Sequence, residues 1–96
     1  TKNNVVLSRC ISRGTVNMSV VNPREIFNVV IKNMASAIII AHNHPSGDSM
    51  PSNEDISLTK KVMNLSEMLG IDFLDHVIIA KKGSISLRKE GYVKFD

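Results

Sequence analysis

Apolar side chains recur along this chain at two different periods, and the switches between them predict alternating strands and helices. Val5-Val6-Leu7-Ser8-Arg9-Cys10-Ile11 reads as a strand, Gly14 as a bend, and the β-branched stretch 15–21 as a second strand paired with it. Asn22-Pro23 then opens a helix, with Asn as N-cap acceptor and Pro at the first position, where a missing amide costs nothing. Ile26, Phe27, Val30, Ile31 and Met34 give that helix an apolar stripe. Ala35-Ser36-Ala37-Ile38-Ile39-Ile40-Ala41 is a short apolar run, as expected of a central strand covered on both faces. A helix is predicted from Pro51-Ser52 to about Leu69, with Leu58, Val62, Leu65 and Leu69 as its stripe, Ile56 and Met63 alongside, and Gly70 as its end. Residues 73–80 read as another apolar strand, which Gly83 turns into a hairpin partner at 84–88. The expected class is therefore α/β, a mixed sheet flanked by helices.

The predicted central strand runs into His42-Asn43-His44-Pro45-Ser46-Gly47-Asp48, and Ser52 and Asp55 follow at the start of the next helix. Residues two apart on a strand share a face, so both imidazoles point into one crevice. The carboxyl ends of strands are where open α/β sheets place ligands. Two imidazoles and a carboxylate can close around a divalent ion and leave a fourth tetrahedral position for water, the pattern of catalytic zinc. A competing reading makes Ser52 the N-cap and Asp55 a first-turn acid favoured by the helix dipole, with the two histidines as hydrogen-bonded loop residues. The two readings are compatible, because a capping carboxylate can still face a metal. His76 either backs the site from a neighbouring strand or is a structural histidine; Asp48 is either a turn residue or an acceptor for a ligand imidazole.

Composition narrows the setting. With 96 residues and 43% apolar content, the chain is expected to form one domain spanning 1–96. No apolar run approaches the roughly 20 residues of a membrane span. Cys10 is the only cysteine, which excludes an internal disulfide, makes a reducing cytoplasm the expected location and leaves any metal to His and carboxylate; the cysteine itself reads as a small core residue. The net charge of +3 is spread out, with lysine pairs at Lys60-Lys61 and Lys81-Lys82, and Trp is absent. Neither a dense phosphate-binding face nor a stacking platform for single strands is evident. The chain opens on Thr1 with a strand that has nothing before it to pair with, so a fragment of a longer protein is expected, with a homodimer through the exposed sheet edge as one outcome.

The spacing His42-x-His44, seven residues, Ser52, two residues, Asp55 resembles the JAMM signature of the MPN/JAB metalloprotease superfamily, which includes zinc isopeptidases that remove ubiquitin. The run from His42 to Asp48, Pro51-Ser52-x-x-Asp55 and Leu74-Asp75-His76 look like the RadC-like family, once labelled DNA-repair proteins. Arg13-Gly14-Thr15-x-Asn17, Pro23-Arg24-Glu25 and Phe27 extend the likeness over essentially the whole chain. The resemblance implies a cytidine-deaminase-like JAB/MPN architecture, one Zn2+ per chain on His42, His44 and Asp55, and Ser52 as donor to a developing oxyanion. The implied reaction is hydrolysis of a peptide or isopeptide bond in a peptide or protein substrate. Asn43 stands where many isopeptidases have Ser or Thr, which separates this branch from the ubiquitin-directed one. The superfamily also uses a glutamate upstream of the histidines. Glu25 is the only acidic residue there, but it matches a different position of the pattern and reads as a first-turn acid. The general acid/base is therefore expected before Thr1, and its loss would slow the reaction about 10²–10⁴-fold. Two rivals remain: a nucleic-acid-binding module of DNA repair or recombination, and a metal-free interaction domain, which three convergent ligands argue against.

Overall fold

The computed structural model describes residues 22–44 and 47–95. Helix α1 (Pro23–Lys32), strand β1 (Ala37–Asn43), helix α2 (Asn53–Leu69) and strands β2 (Asp72–Ala80) and β3 (Gly83–Ser86) follow in chain order. The strands form one mixed sheet in the order β1-β2-β3, with β1 parallel to β2 and β2 antiparallel to β3. Parallel neighbours need a long crossover, and α2 supplies it. The α/β expectation holds.

Local chemistry sets the boundaries. The Asn22 side chain accepts from the Arg24 amide at 2.9 Å and Pro23 begins α1. Ser52 caps α2, and Gly70 ends it in the left-handed conformation at φ 71°. Lys81-Lys82 form the tight turn before Gly83, whose φ of 130° is accessible to glycine and strained for other residues.

α1 and α2 pack with the sheet around Ile26, Phe27, Val30, Leu58, Val62 and Phe73. A second cluster, Ile78, Leu87 and Val93, lies beside it, and Phe95 and Met63 touch both. Phe73 and Phe95 meet with ring centroids 5.1 Å apart.

Three expectations are corrected. Ile31 and Met34 fall outside the buried stripe of α1: Ile31, one residue past buried Val30, is turned off that face, and Met34, beyond the helix end at Lys32, turns away at φ 51° and is 89% exposed. On α2 the buried face is Asp55, Leu58, Thr59, Val62 and Ser66, while Leu69 is exposed in the last turn. That face carries polar groups, so apolar periodicity alone misplaced its far end. Among the described residues β1 lies at the edge of the sheet, and Ile39 on its outer face is 61% exposed, so this strand is covered on one face only. The strands expected at 5–11 and 15–21, Cys10 and the dimerising edge lie outside the described residues.

Candidate metal centre

The site forms where the carboxyl end of β1 meets the amino end of α2. Alternation along β1 turns Ile38, Ile40 and His42 inward, and His42 is 8% exposed at the end of the strand. The parallel ladder continues one residue further, the His44 amide donating to the Ile79 carbonyl at 2.8 Å, which holds His44 beside His42. The rings meet edge to face with centroids 4.8 Å apart. The Gly47 amide then donates to the His44 carbonyl at 3.2 Å, turning the chain at a φ of 89°.

On the other side Ser52 and Asp55 form a reciprocal cap. The Asp55 amide donates to Ser52 Oγ at 3.1 Å, and the Ser52 amide donates to Asp55 Oδ2 at 2.7 Å. Capping does not occupy the whole carboxylate. Asp55 Oδ1 lies 3.1 Å from His42 Nδ1, and Oδ2 lies 3.0 Å from His44 Nε2. Asp55 is fully buried. The sequence thus named four residues, His42, His44, Ser52 and Asp55, that the fold brings into contact with the carboxylate of Asp55 or form part of its cap.

These contacts differ from ordinary ion pairs. His44 Nδ1 lies 2.9 Å from the Asp48 main-chain carbonyl, which only accepts, so Nδ1 carries the proton. In the neutral ring Nε2 is then bare and faces another acceptor, Asp55 Oδ2. Only a second ring proton or a cation makes that approach favourable. His42 Nδ1, His42 Nε2 and Asp55 Oδ1 are buried without a hydrogen-bond partner among the described residues, although Nδ1 and Oδ1 are 3.1 Å apart. Two donors about 2.0–2.2 Å from one tetrahedral zinc stand roughly 3.4 Å apart, close to both separations. The residues present fit a divalent cation.

A family model described as the RadC-like JAB domain matches residues 1–92. The chain belongs to the RadC-like JAB domain family. The UPF0758 protein of Desulforamulus reducens is 50% identical over 93 residues, covering 97% of this chain and 41% of the relative. The UPF0758 protein of Finegoldia magna is 47% identical over 92 residues, covering 96% of this chain and 41% of the relative. A third, UPF0758 protein TTE0897 of Caldanaerobacter subterraneus, is 47% identical over 95 residues and again covered over 41% of its length. This RadC-like JAB domain therefore spans about two fifths of the curated relatives it matches. Among its described residues no helix is long and apolar enough to cross a membrane.

Electrostatics prepare the RadC-like JAB site for a cation. Burial lowers the pKa of His42 against the pull of Asp55, so its imidazole is neutral at pH 7 and free to donate a lone pair. Burial works to raise the Asp55 pKa, but the Ser52 amide and hydroxyl and the two histidines outweigh it and keep the carboxyl below its usual range.

Two further residues complete the picture. The carboxylate of Asp48 accepts from the Met50 amide at 3.0 Å, while its main-chain carbonyl faces His44. His76 is fully buried on β2, and ring nitrogens of His42 and His76 and a carboxylate oxygen of Asp55 all lie within 4.8 Å of one another. Sequence reasoning missed Thr59, whose hydroxyl stands 2.7 Å from the Asp55 carbonyl and 2.6 Å from His76 Nδ1. Its signal was available, since Thr59 lies one helical turn after Asp55 on the same face.

Proposed function

We propose that this domain is the metal centre of a zinc-dependent hydrolase acting on peptide or isopeptide bonds, with His42, His44 and Asp55 holding one Zn2+ and Ser52 serving the oxyanion. The observation that carries the reading is the carboxylate of Asp55, fully buried and flanked on each oxygen by an imidazole nitrogen at 3.0–3.1 Å. A fully buried carboxylate that faces two imidazoles is costly unless a cation or a further ring proton joins them. Membership of the RadC-like JAB family supports the same donor set.

A divalent ion held there would polarise a substrate carbonyl and lower the pKa of a bound water to about 7. The protein's own part is positional. Ser52 Oγ accepts from the Asp55 amide, so its hydroxyl proton remains available to an oxyanion beside the metal. The Ser52 amide, donating at 2.7 Å, fixes the carboxylate orientation. The Asp48 carbonyl fixes the His44 tautomer that leaves Nε2 unprotonated. Glu25 is exposed in the first turn of α1, where it serves the helix dipole.

Elemental analysis of the purified chain beside Asp55→Ala tests the reading. About one zinc per chain is expected in the parent and none in the variant. No zinc after reconstitution would reduce Ser52 and Asp55 to a helix cap. Salt-dependent DNA binding that survives Asp55→Ala, with no amide hydrolysis, would favour the nucleic-acid reading instead.

A further inference from the structure

The turn between β2 and β3 is Lys81-Lys82, and both residues are exposed. The ion pairs among the described residues are those of Asp55 with His42 and His44, so no carboxylate there neutralises either lysine. An exposed lysine pair is not by itself a site. Lys60-Lys61 is another, on α2 and off the face that carries Asp55.

Register sets Lys81-Lys82 apart. His42 pairs with Ile78 and Asn43 with Ile79, and the His44 amide donates to the Ile79 carbonyl at 2.8 Å. β2 therefore leaves the sheet at the end where the two histidines emerge, and the hairpin tip begins two residues after Ile79. Neighbouring strands lie about 4.8 Å apart and consecutive Cα atoms about 3.8 Å apart, so the Lys81 Cα stands within roughly 12 Å of that of His44. An extended peptide covers that span in about three to four residues. Each ammonium is a point charge on a flexible four-carbon stem, able to follow a carboxylate along such a peptide. The acidic side chains at this end, Asp48 and Glu54, belong to the loop and the first turn of α2, and Asp48 is engaged with the Met50 amide. The surround of the site is thus positive on the hairpin side and negative on the α2 side, which draws an anionic segment to the hairpin.

We propose that the β2–β3 hairpin tip is a substrate subsite of the metal centre, where Lys81 and Lys82 bind an acidic peptide segment. Substrates then carry Asp or Glu within about three to four residues of the cleaved amide. This rests on the hydrolase reading above and gives it a substrate class.

The test uses the zinc-loaded chain and two dye-labelled peptides of equal length, oligoglutamate and oligoglutamine, with binding read by fluorescence anisotropy. Oligoglutamate is expected to bind and oligoglutamine not, with affinity falling roughly tenfold or more in Lys81→Glu/Lys82→Glu. Lys60→Glu/Lys61→Glu changes the net charge by the same amount, so it isolates position, and its affinity should stay close to that of the parent. Equal losses in the two double variants, or equal binding of the two peptides, overturn the proposal. A cobalt-loaded chain adds a readout at the ion: oligoglutamate should shift the visible d–d bands of the parent and leave those of Lys81→Glu/Lys82→Glu unchanged. Binding that leaves the parent bands unmoved places the peptide away from the ion and overturns the subsite. Duplex DNA that binds more tightly than oligoglutamate and is lost on the same two substitutions assigns the tip to nucleic acid instead. Failure to take up zinc or cobalt overturns the metal reading itself, whereas normal uptake with unselective peptide binding overturns the subsite alone.

Discussion

Asp55 performs two tasks that usually belong to different residues. One oxygen closes the α2 cap through the Ser52 amide, and both oxygens face imidazoles. The dual role explains why a carboxylate can stay ionised while fully buried: the helix amino end supplies donors before any metal does. The buried histidines behave oppositely. Burial lowers the His76 pKa from 6.5 to about 4, and His42 shifts in the same direction. An unfolded chain therefore takes up these protons first as acid is added. Stability from neutral His76 is fully present above about pH 6.5 and is lost as pH falls toward about 4, by roughly 3 kcal/mol for this residue alone. Asp55, whose folded pKa lies below its unfolded value, contributes stability lost only under still more acidic conditions. Urea midpoints of the metal-free chain between about pH 7 and pH 4 check this; a flat profile across that interval would mean His76 is charged or exposed.

At the scale of elements, α2 does most to organise the site. Its buried stripe recurs at helical spacing, 55-58-59-62-66, but three of the five residues are polar. Each of Asp55 and Thr59 has a partner that apolar patterning cannot reveal, a carboxylate in a cap and a hydroxyl between a carbonyl and a ring. Leu65 and Leu69, which fitted an all-apolar stripe, sit to one side, half-buried and exposed. The ends were more legible, because Ser52 and Gly70 act through local backbone chemistry. Gly70 adopts φ 71°, with open space where a Cβ would project, so Gly70→Ala is opposed by backbone strain rather than by a clash. It should lower stability by about 1 kcal/mol, read as a shift of the urea midpoint at constant slope. An unchanged midpoint would mean that the cap contributes nothing.

Across the whole molecule, the parallel β1-α2-β2 unit is what turns separate sequence features into a site. The crossover sets the amino end of α2 against the carboxyl end of β1, and pairing with β2 brings His76 beneath His42. Ile78 pairs with His42 in register and is fully buried against Leu87 and Val93. Truncating it removes the packing that seats the strand, so Ile78→Ala should cost roughly 2–5 kcal/mol. Because the lost methylenes lie under the site, zinc affinity should weaken along with the urea midpoint. Loss of stability with unchanged zinc affinity would show that the site is held by β1 and α2 alone.

The sequence by itself determined what depends on neighbours along the chain: the helix starts at Pro23 and Asn53, the stop at Gly70, the strand that carries His42, and the spacing that relates His42, His44, Ser52 and Asp55. Those signals are local hydrogen bonds and a period of alternation, readable without knowing what lies across the core. Only the tertiary structure decided which face of β1 is covered, that the buried face of α2 is largely polar, and that Thr59 hydrogen-bonds the buried ring of His76. Those facts depend on pairing between β1 and β2 and on packing across α2. Residues 17 positions apart become hydrogen-bonded neighbours there, and a local pattern has no term for such a contact.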